Sequence, residues 1–570
     1  MTSLRWLMVQ APGTPLLCCP NCCASIARRP VLEVATPRGG SLVLLACDIC
    51  TARFFEDLPV GDYGNDPPGG GAALAFYLQQ GANMGGMAVR LASLGRPAGT
   101  RYLEIGCGFG IGLDVARRAL GWDVLGLDPS PFAAAGRDLL NLPIEARYLM
   151  PDDLLAGNFD VVHASEVLEH VADPLAMLNI LRRALRPGGT LMLTTPAAEC
   201  ITPETSEGLL IPLLSAGWHM VLQTMQSLEL LLGRAGFATL RVTREGAQLI
   251  AIAGAAPRGL EGNRGPYLTW LEAAAAAVPA ESDLGLGLRT RLYRECSSAG
   301  DAAGAEAAWA ALDAAVTARF GSGMESLGKA APAGDLSLDD LVRREPVCLC
   351  GALLHRGLDA LQRDAPAEAL LAGAAAAAGR LRAALRAIGS DDGDAEDVGF
   401  AAQKELIILA ARRGDGGIGE RIEAMIAAGG QRHAAAVARN CFVALVNRGA
   451  LEEARRIDAA LGRDWRVISD KIPISHDDAS IAYCHAVLQL QLPDGRRPEA
   501  QDGLRALRAA LVQGFAAGEV TPAGILYWPA TEAEALGLRL AGDDARAEAL
   551  IREAQASVAH LVGFPPRPVP

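Results

Sequence analysis

The 570-residue chain has few aromatic residues and no excess of positive charge. Phe, Trp and Tyr make up 5% of the sequence, and 65 acidic residues outnumber 52 Lys and Arg, which gives a formal net charge of −13. Proteins that bind nucleic acid through its phosphates usually present a basic face. The charge balance therefore disfavours a nucleic-acid partner.

The sequence also has little that would direct it to or through a membrane. Its first fifteen residues contain one Arg and no apolar core of signal-peptide length, so we expect no export signal. Residues 208–228 carry no charge and are long enough to span a bilayer, but they include Pro212, His219 and Gln223. We interpret this stretch as a loop and a buried helix, and we expect a cytoplasmic protein without a membrane contact.

Cysteine is concentrated near the start, where residues 18–23 read Cys-Cys-Pro-Asn-Cys-Cys and residues 47–50 read Cys-Asp-Ile-Cys. Two CxxC pairs at this spacing are typical of a zinc ribbon, and residues 41–46 would be the strand that leads into the second pair. A register that uses Cys18 or Cys23 stays open. Four thiolates leave no position for water, so the zinc would be structural. The ligands we assign are Cys19, Cys22, Cys47 and Cys50.

A glycine-rich turn follows an apolar strand at residues 101–110, which read Arg-Tyr-Leu-Glu-Ile-Gly-Cys-Gly-Phe-Gly. Glycine lets the backbone approach a ligand where a Cβ would collide. The next predicted strand ends at Asp128, in position to accept both hydroxyls of a ribose. Dinucleotide enzymes need a third glycine where this chain has Ile111, so the spacing disfavours a nicotinamide cofactor.

Later segments resemble class I S-adenosylmethionine (SAM)-dependent methyltransferases of the type 11, 12 and 23 domains. Residues 159–164 (Phe-Asp-Val-Val-His-Ala) resemble the fourth strand of that family, and residues 165–174 (Ser-Glu-Val-Leu-Glu-His-Val-Ala-Asp-Pro) resemble the helix start that follows it. Residues 185–190 (Leu-Arg-Pro-Gly-Gly-Thr) resemble the turn before the fifth strand. The resemblance implies an α/β fold with a seven-stranded, Rossmann-like sheet.

The resemblance also implies a set of cofactor-binding residues. Asp128 would bind the ribose of SAM, and either Asp152 or Asp153 would lie beside the adenine. The residues expected at the methionine part are Glu104, Gly106, Gly108 and Gly110.

Three residues are candidates for catalysis, namely His219, His170 and Glu166. Glu166, Glu169 and His170 are similar to the acidic-plus-His pattern of quinone-pathway O-methyltransferases, which can hold a divalent metal, and their spacing predicts one shared helical face. The alternative is that Glu169 and His170 only cap and pack this helix. His219 lies where related enzymes place acceptor-side residues, and it is either a general base or a packed structural residue.

Strand patterns nearly vanish after residue 256. Helix ends followed by a Gly or Asp turn and an Ala-rich helix start recur near residues 299, 364, 449 and 542. They resemble the turn of tetratricopeptide repeats without a steady 34-residue period, so a degenerate solenoid and an irregular bundle both stay open. Solenoids present concave faces to proteins, so we expect a protein partner here.

Together these patterns predict four parts and one leading function. The predicted function is O-methylation of a small-molecule or glycan hydroxyl with SAM as cofactor and zinc as a structural ion. The alternatives are an RNA methyltransferase, which the acidic balance disfavours, and a SAM-binding scaffold that acts through its helical region. The predicted parts are a zinc-ribbon module (1–60), a linker and N-terminal helix (61–95), a SAM-dependent methyltransferase domain (96–256) and an all-α, TPR-like domain (257–570).

Overall fold

The structure is a computed structural model that divides into two compact units, Met1–Gly399 and Phe400–Pro570. The residues that the structure describes are 4–7, 16–27, 29–36, 40–56, 61–64, 70–81, 84–150, 157–254, 262–330, 336–460, 476–491, 497–516 and 526–561.

Short antiparallel strands form the N-terminal module. The first CxxC pair makes the tight turn between β2 and β3, and the second makes the turn between β5 and β6, where the Thr51 amide donates to the Cys47 carbonyl oxygen (3.1 Å). The strand expected at residues 41–46 is confirmed. The strands are β1 (Leu4–Trp6), β2 (Leu16–Cys18), β3 (Ser25–Ala27), β4 (Pro30–Ala35), β5 (Ser41–Ala46) and β6 (Arg53–Phe55).

A seven-stranded sheet forms the centre of the first unit and confirms the expected α/β fold. Its spatial order is β13-β14-β11-β10-β7-β8-β9, and β14 runs antiparallel to both of its neighbours. A further short strand, β12 (Val221–Leu222), pairs with β6 in the N-terminal sheet instead. The central strands are β7 (Arg101–Ile105), β8 (Asp123–Leu127), β9 (Ile144–Glu145), β10 (Phe159–Ser165), β11 (Leu185–Pro196), β13 (Leu240–Glu245) and β14 (Gln248–Gly254).

Successive side chains of a strand point to opposite faces of a sheet, and here both faces carry apolar side chains. Helices therefore cover both faces. Tyr102 of β7 belongs to the core on one face, whereas the next residue, Leu103, belongs to the core on the other. The helices are α1 (Gly70–Phe76), a π-helical turn (Tyr77–Gly81), α2 (Met84–Ser93), α3 (Ile111–Leu120), α4 (Pro131–Leu140), a 3₁₀ turn (Leu168–His170), α5 (Pro174–Ala184), a second 3₁₀ turn (Ala198–Cys200), α6 (Glu207–Leu214) and α7 (Met225–Arg234).

The uncharged stretch at residues 208–228 is not one long helix. It contains most of α6, which ends at Leu214, then β12 and the beginning of α7, as its polar residues and Pro212 suggested. In the part of the chain that the structure describes, every helix is too short or too polar to cross a membrane.

The first helix after residue 256 packs on α2 and α3, the helices that cover one face of the sheet. Tyr267, Trp270 and Leu271 of α8 complete the core on the α3 side, and the Trp270 indole donates to Asp114 of α3 (2.9 Å). The boundary after residue 256 stays a prediction, while the compact unit continues to Gly399. The helices are α8 (Gly265–Ala277), α9 (Asp283–Ser298), α10 (Ala302–Phe320), α11 (Met324–Gly328), α12 (Leu338–Arg344), α13 (Leu349–Gln362), α14 (Glu368–Ala387) and α15 (Gly393–Arg413).

The second unit is built from helices, and its described residues contain no strand, which confirms an all-α C-terminal region. Short turns join some of its helices, as at Gly449 before α18 and at Asp543, which caps α22 by accepting from the Arg546 amide. The helices are α16 (Ile418–Ala427), α17 (Gln431–Asn447), α18 (Leu451–Ala460), α19 (His476–Gln491), α20 (Arg497–Ala516), α21 (Tyr527–Leu540) and α22 (Asp544–Val558).

Candidate functional site

A cavity of about 710 Å³ opens at the carboxyl ends of β7, β8 and β10. The strand order reverses between β10 and β7, and open α/β sheets bind ligands in the crevice at such a point. The volume lies in the usual range for small-molecule sites, about 300–1,000 Å³. Gly106, Asp128 and Glu166 follow or end these three strands, and all of them line the cavity.

The glycine-rich turn forms part of the cavity wall. Gly106 has a φ of +68°, and a Cβ there would overlap the Val167 side chain, so this position requires glycine. Gly108 also lines the cavity. Gly110 does not line it, and a Cβ there would lie 2.7 Å from the Leu142 side chain in the core. Of the three glycines expected at the cofactor, two therefore lie on the wall and the third packs behind it.

Asp128 is held in one orientation at the end of β8. Its Oδ2 accepts from the Gly108 amide and its Oδ1 from the Ser130 amide, both at 2.7 Å, and the residue is 7% exposed. Each carboxylate oxygen has a second lone pair, so both can still accept a hydroxyl. The carboxylate thus faces the cavity ready for a vicinal diol.

Glu104 lies in the strand below the glycine-rich turn and is 2% exposed. Its Oε1 is 3.3 Å from His163 Nδ1, while its Oε2 makes no hydrogen bond to the described residues. Buried polar atoms without a partner are rare and costly. This oxygen suits the charged amino group expected from a SAM molecule, although Glu104 does not line the cavity.

Asp152 and Asp153 lie outside the described residues, so the choice between them stays open. The described chain just before them contributes Arg147, Tyr148 and Leu149 to the cavity.

The other half of the cavity carries aromatic side chains. The Tyr63 ring lies 4.9 Å from Trp218 and 5.0 Å from His170, measured between ring centroids, and its hydroxyl is hydrogen-bonded to His170 Nδ1. Sequence reasoning missed Tyr63 because it treated residues 61–71 as a linker. The signal that could have found it is an aromatic residue in an otherwise Gly-, Pro- and Asp-rich stretch.

Glu169, His170 and His219 form a compact group of three potential metal ligands, with one ligand atom from each lying within 4.8 Å of the others. His219 Nδ1 donates to the Leu213 carbonyl oxygen (2.8 Å), which leaves its Nε2 lone pair available. Burial lowers the pKa of His170 to about 4 and that of His219 to about 3. Both imidazoles are therefore neutral at pH 7, the form that binds metals and accepts protons.

Glu169 is the buried carboxylate of this group, and burial raises its pKa well above the usual value. Its Oε2 accepts from the Thr195 hydroxyl (2.9 Å), whereas its Oε1 makes no hydrogen bond to the described residues and lies 3.8 Å from His170 Nε2. His219 does not line the cavity, although His170 does.

The expectation that Glu166, Glu169 and His170 share one helical face is wrong. The 3₁₀ turn begins at Leu168, and Glu166 precedes it with a φ of +53°, so helical spacing does not apply. The Glu166 carboxylate instead accepts from the Thr194 hydroxyl and the Gln248 amide, both at 2.8 Å. Glu166 lines the same cavity as His170, but it does not belong to the group of potential metal ligands formed by Glu169, His170 and His219.

The four assigned cysteines meet in one cluster in the N-terminal module. The Sγ atoms of Cys19 and Cys50 are 3.7 Å apart, as are those of Cys22 and Cys47. A tetrahedral zinc with Zn–S bonds of about 2.3 Å requires sulfur atoms about 3.8 Å apart. The cluster fits a zinc ion, and Cys18 and Cys23 are exposed outside it.

Residues 82–242 match the family model of a methyltransferase domain. This stretch of the chain is similar to methyltransferase domains. The ubiquinone biosynthesis O-methyltransferase of Cereibacter sphaeroides is 43% identical to it over 103 residues, which are 17% of this chain and 41% of that protein. The enzyme of the same name from Xanthomonas campestris is 37% identical over 132 residues, 21% of this chain and 54% of that protein.

The chain spans about half the length of the curated relatives it matches. Among solved structures, it is similar to an S-adenosylmethionine-dependent methyltransferase from Mesorhizobium loti, with 20% identity and a TM-score of 0.25, covering 29% of this chain and 94% of that one.

Proposed function

We propose that this protein transfers the methyl group of SAM to a hydroxyl of a small-molecule or glycan acceptor. The observation that carries the proposal is one continuous cavity, which joins Gly106, Gly108 and Asp128 at one end to Tyr63, His170 and Trp218 at the other. A cofactor and an acceptor bound in the two parts of this cavity would lie next to each other. The relatives named O-methyltransferases support a hydroxyl as the acceptor group.

The cofactor half takes its proposed roles from the resemblance and from local geometry. Asp128 accepts the ribose hydroxyls, and the Glu104 oxygen that has no partner in the described part of the chain receives the amino group. The amides of the glycine-rich turn approach the methionine part. Asp152 or Asp153 stays the proposed adenine partner. Bound SAM supplies an activated methyl and a neutral thioether leaving group, so the protein's own task is alignment and removal of one proton.

The acceptor half would align a ring and receive its hydroxyl proton. Tyr63 and Trp218 offer apolar ring faces to an aromatic or sugar ring. His170 lines this half and is the proposed acceptor of the hydroxyl proton, although burial lowers its pKa to about 4 and so weakens it as a base; Glu166 offers a second basic group on the same wall. His219 supports His170 from behind, with its ring centroid 4.7 Å away.

A second form of the site uses a divalent metal held by Glu169, His170 and His219. Two neutral imidazoles and a carboxylate suit a first-row transition metal, which polarises a hydroxyl and lowers its pKa. The observation that favours it is the Glu169 oxygen that has no hydrogen bond to any residue the structure describes. The packing role of Glu169 and His170 is the alternative.

We propose zinc at Cys19, Cys22, Cys47 and Cys50 as a structural ion, because the sulfur spacing fits a tetrahedron. We also propose a cytoplasmic location and a protein partner for the helical residues. Clustered cysteines that suit metal binding support the location, and the succession of helices in the second unit supports the partner.

Calorimetric titration with SAM tests the cofactor site. We expect Asp128→Ala to weaken SAM binding by about 10- to 150-fold, because losing hydrogen bonds to a charged group costs about 1.5–3 kcal/mol. Asp138→Ala is the matched control, since this α4 carboxylate is exposed and pairs with Arg137. Folded, zinc-loaded protein that binds no SAM would reject the enzyme proposal in favour of a scaffold.

Activity with labelled SAM then tests the acceptor. Hydroxyl-bearing aromatic and sugar compounds should become labelled, and His170→Ala should lower kcat by about 10²–10⁴-fold with SAM affinity unchanged. Labelling of RNA instead would support the RNA methyltransferase alternative.

A further inference from the structure

The π-helical turn Tyr77–Gly81 lies beside the cofactor half of the cavity. Tyr77 lines the cavity, its ring packs against Phe132 with centroids 5.7 Å apart, and a Cβ on Gly108 would lie 3.1 Å from its hydroxyl. Short π-helical segments are rare and often occur at functional sites. This turn therefore contributes Tyr77 to the cavity wall, directly beside Gly108 of the glycine-rich turn.

Helix α9 holds the backbone of the π-helical turn. Arg291 Nη1 donates to the carbonyl oxygens of Leu78 (3.1 Å) and Gln79 (3.2 Å). Gly287 lies one turn earlier, and a Cβ there would overlap the Leu78 carbonyl oxygen and lie 3.0 Å from Gln79 Cα. The absent side chain at Gly287 is what lets α9 approach this closely.

Two glutamines of the turn are held by their side-chain amides. Gln79, 3% exposed, donates to Asp283 of α9 (2.7 Å) and accepts from the Cys348 amide before α13 (3.3 Å). Gln80 donates to Asp392 before α15 (2.5 Å) and accepts from the Cys350 thiol of α13 (3.6 Å). Three elements that lie more than 200 residues further along the chain thus hold two consecutive residues.

We propose that α9, α13 and Asp392 form a clamp that positions the π-helical turn against the SAM site, with Arg291 and Gln80 as positioning residues. This inference rests on the proposed function, since it requires that the cavity binds SAM. A loosened turn must be ordered again when the cofactor binds, and that cost lowers affinity. By linkage, bound SAM tightens the clamp in return.

Substitution of the clamp tests this coupling. Gly287→Ala drives a methyl group into the Leu78 carbonyl, and Gln80→Ala removes only two side-chain contacts, so it is the milder variant should the first fail to fold. We expect each to raise the Kd for SAM, and the KM for SAM where turnover is measured, by about 5- to 150-fold with kcat retained. Gly379→Ala is the matched control, because a Cβ on this α14 glycine meets no atom within 4 Å.

Hydrogen exchange of residues 77–81 gives a second readout. We expect SAM to slow their exchange in the wild-type protein, and Gln80→Ala to speed it without SAM while residues 106–110 exchange as before. A variant whose turn exchanges faster but whose SAM affinity equals that of Gly379→Ala would overturn the clamp. Absence of SAM binding in the wild-type protein would instead reject the proposed function, so the two failures are distinguishable.

Discussion

At the scale of single residues, burial separates the cysteines of the N-terminal module into two groups. Cys19, Cys47 and Cys50 are buried and Cys22 is half-buried, whereas the flanking Cys18 and Cys23 are exposed. The buried set also receives N–H···S contacts, since the Cys50 amide approaches Cys47 Sγ (3.4 Å). Such contacts stabilise thiolates, and thiolates are what a zinc ion requires.

We expect Cys47→Ser to lower the zinc content well below one ion per chain and to unfold the module, since structural zinc contributes on the order of 10–16 kcal/mol to such folds. Cys23→Ser should keep one zinc and the wild-type melting temperature, because this thiol lies outside the cluster. Mass spectrometry of metals and thermal melting measure both. Zinc loss from Cys23→Ser would instead favour the other register.

The group Glu169, His170 and His219 gives a second prediction at this scale. We expect the zinc-loaded protein to bind Mn²⁺, read as loss of the free-ion paramagnetic resonance signal, and His219→Ala to weaken that binding by at least about tenfold. Glu166→Gln is the control, because its carboxylate bonds Thr194 and Gln248 instead. An undiminished free-ion signal with the wild-type protein would support the packing role.

At the scale of elements, the N-terminal module and the methyltransferase-like residues 82–242 share a sheet. β6 pairs with β12, so that Phe54 lies opposite Val221, and the Phe55 amide donates to the Met220 carbonyl oxygen (3.1 Å). The Met220 amide in turn donates to the Glu169 carbonyl oxygen (2.6 Å). Trp218, which lines the cavity, lies three residues before β12, so the folded module supports this wall of the cavity.

Removal of zinc should therefore loosen the cavity wall near residues 218–222 more than the glycine-rich turn at residues 106–110. We expect Cys47→Ser to speed hydrogen exchange at residues 218–222, while residues 106–110, which belong to the central sheet, exchange as in the wild type and SAM affinity changes less than about threefold. Cys23→Ser serves as the zinc-loaded control. Equal loosening of both segments would mean that the module stabilises the whole domain and not this wall.

At the scale of the whole molecule, local sequence patterns predicted the central sheet. Contacts between residues far apart in the sequence determine how the later helices pack, and local patterns do not reveal them. An apolar strand, a glycine-rich turn and an acid after the next strand are all signals within about 30 residues, so β7, α3 and Asp128 could be predicted. The contact between Trp270 and Asp114 joins residues 156 positions apart, and that between Gln80 and Asp392 joins residues 312 apart. Hydrophobic periodicity does not reveal which distant residues will pair. It also gave no sign that Tyr63 lines the cavity.

These long-range contacts lead to a prediction about where the chain can be divided. Tyr267, Trp270 and Leu271 of α8 and Leu284 and Leu288 of α9 are buried in the core on the α3 side of the sheet. Burial of each such side chain is worth about 1.5–3 kcal/mol. Their combined loss is of the order of the whole stability of a domain, about 5–15 kcal/mol.

We therefore expect a chain that ends at residue 256 to aggregate or to melt without a cooperative transition, and one that ends at Gly399 to melt cooperatively and to bind SAM as the full chain does. Size-exclusion chromatography, thermal melting and calorimetry measure the two in parallel. A chain of residues 1–256 that folds and binds SAM with full affinity would support the boundary suggested by the sequence, and it would also contradict the clamp, because α9, α13 and Asp392 would then be dispensable for the cofactor.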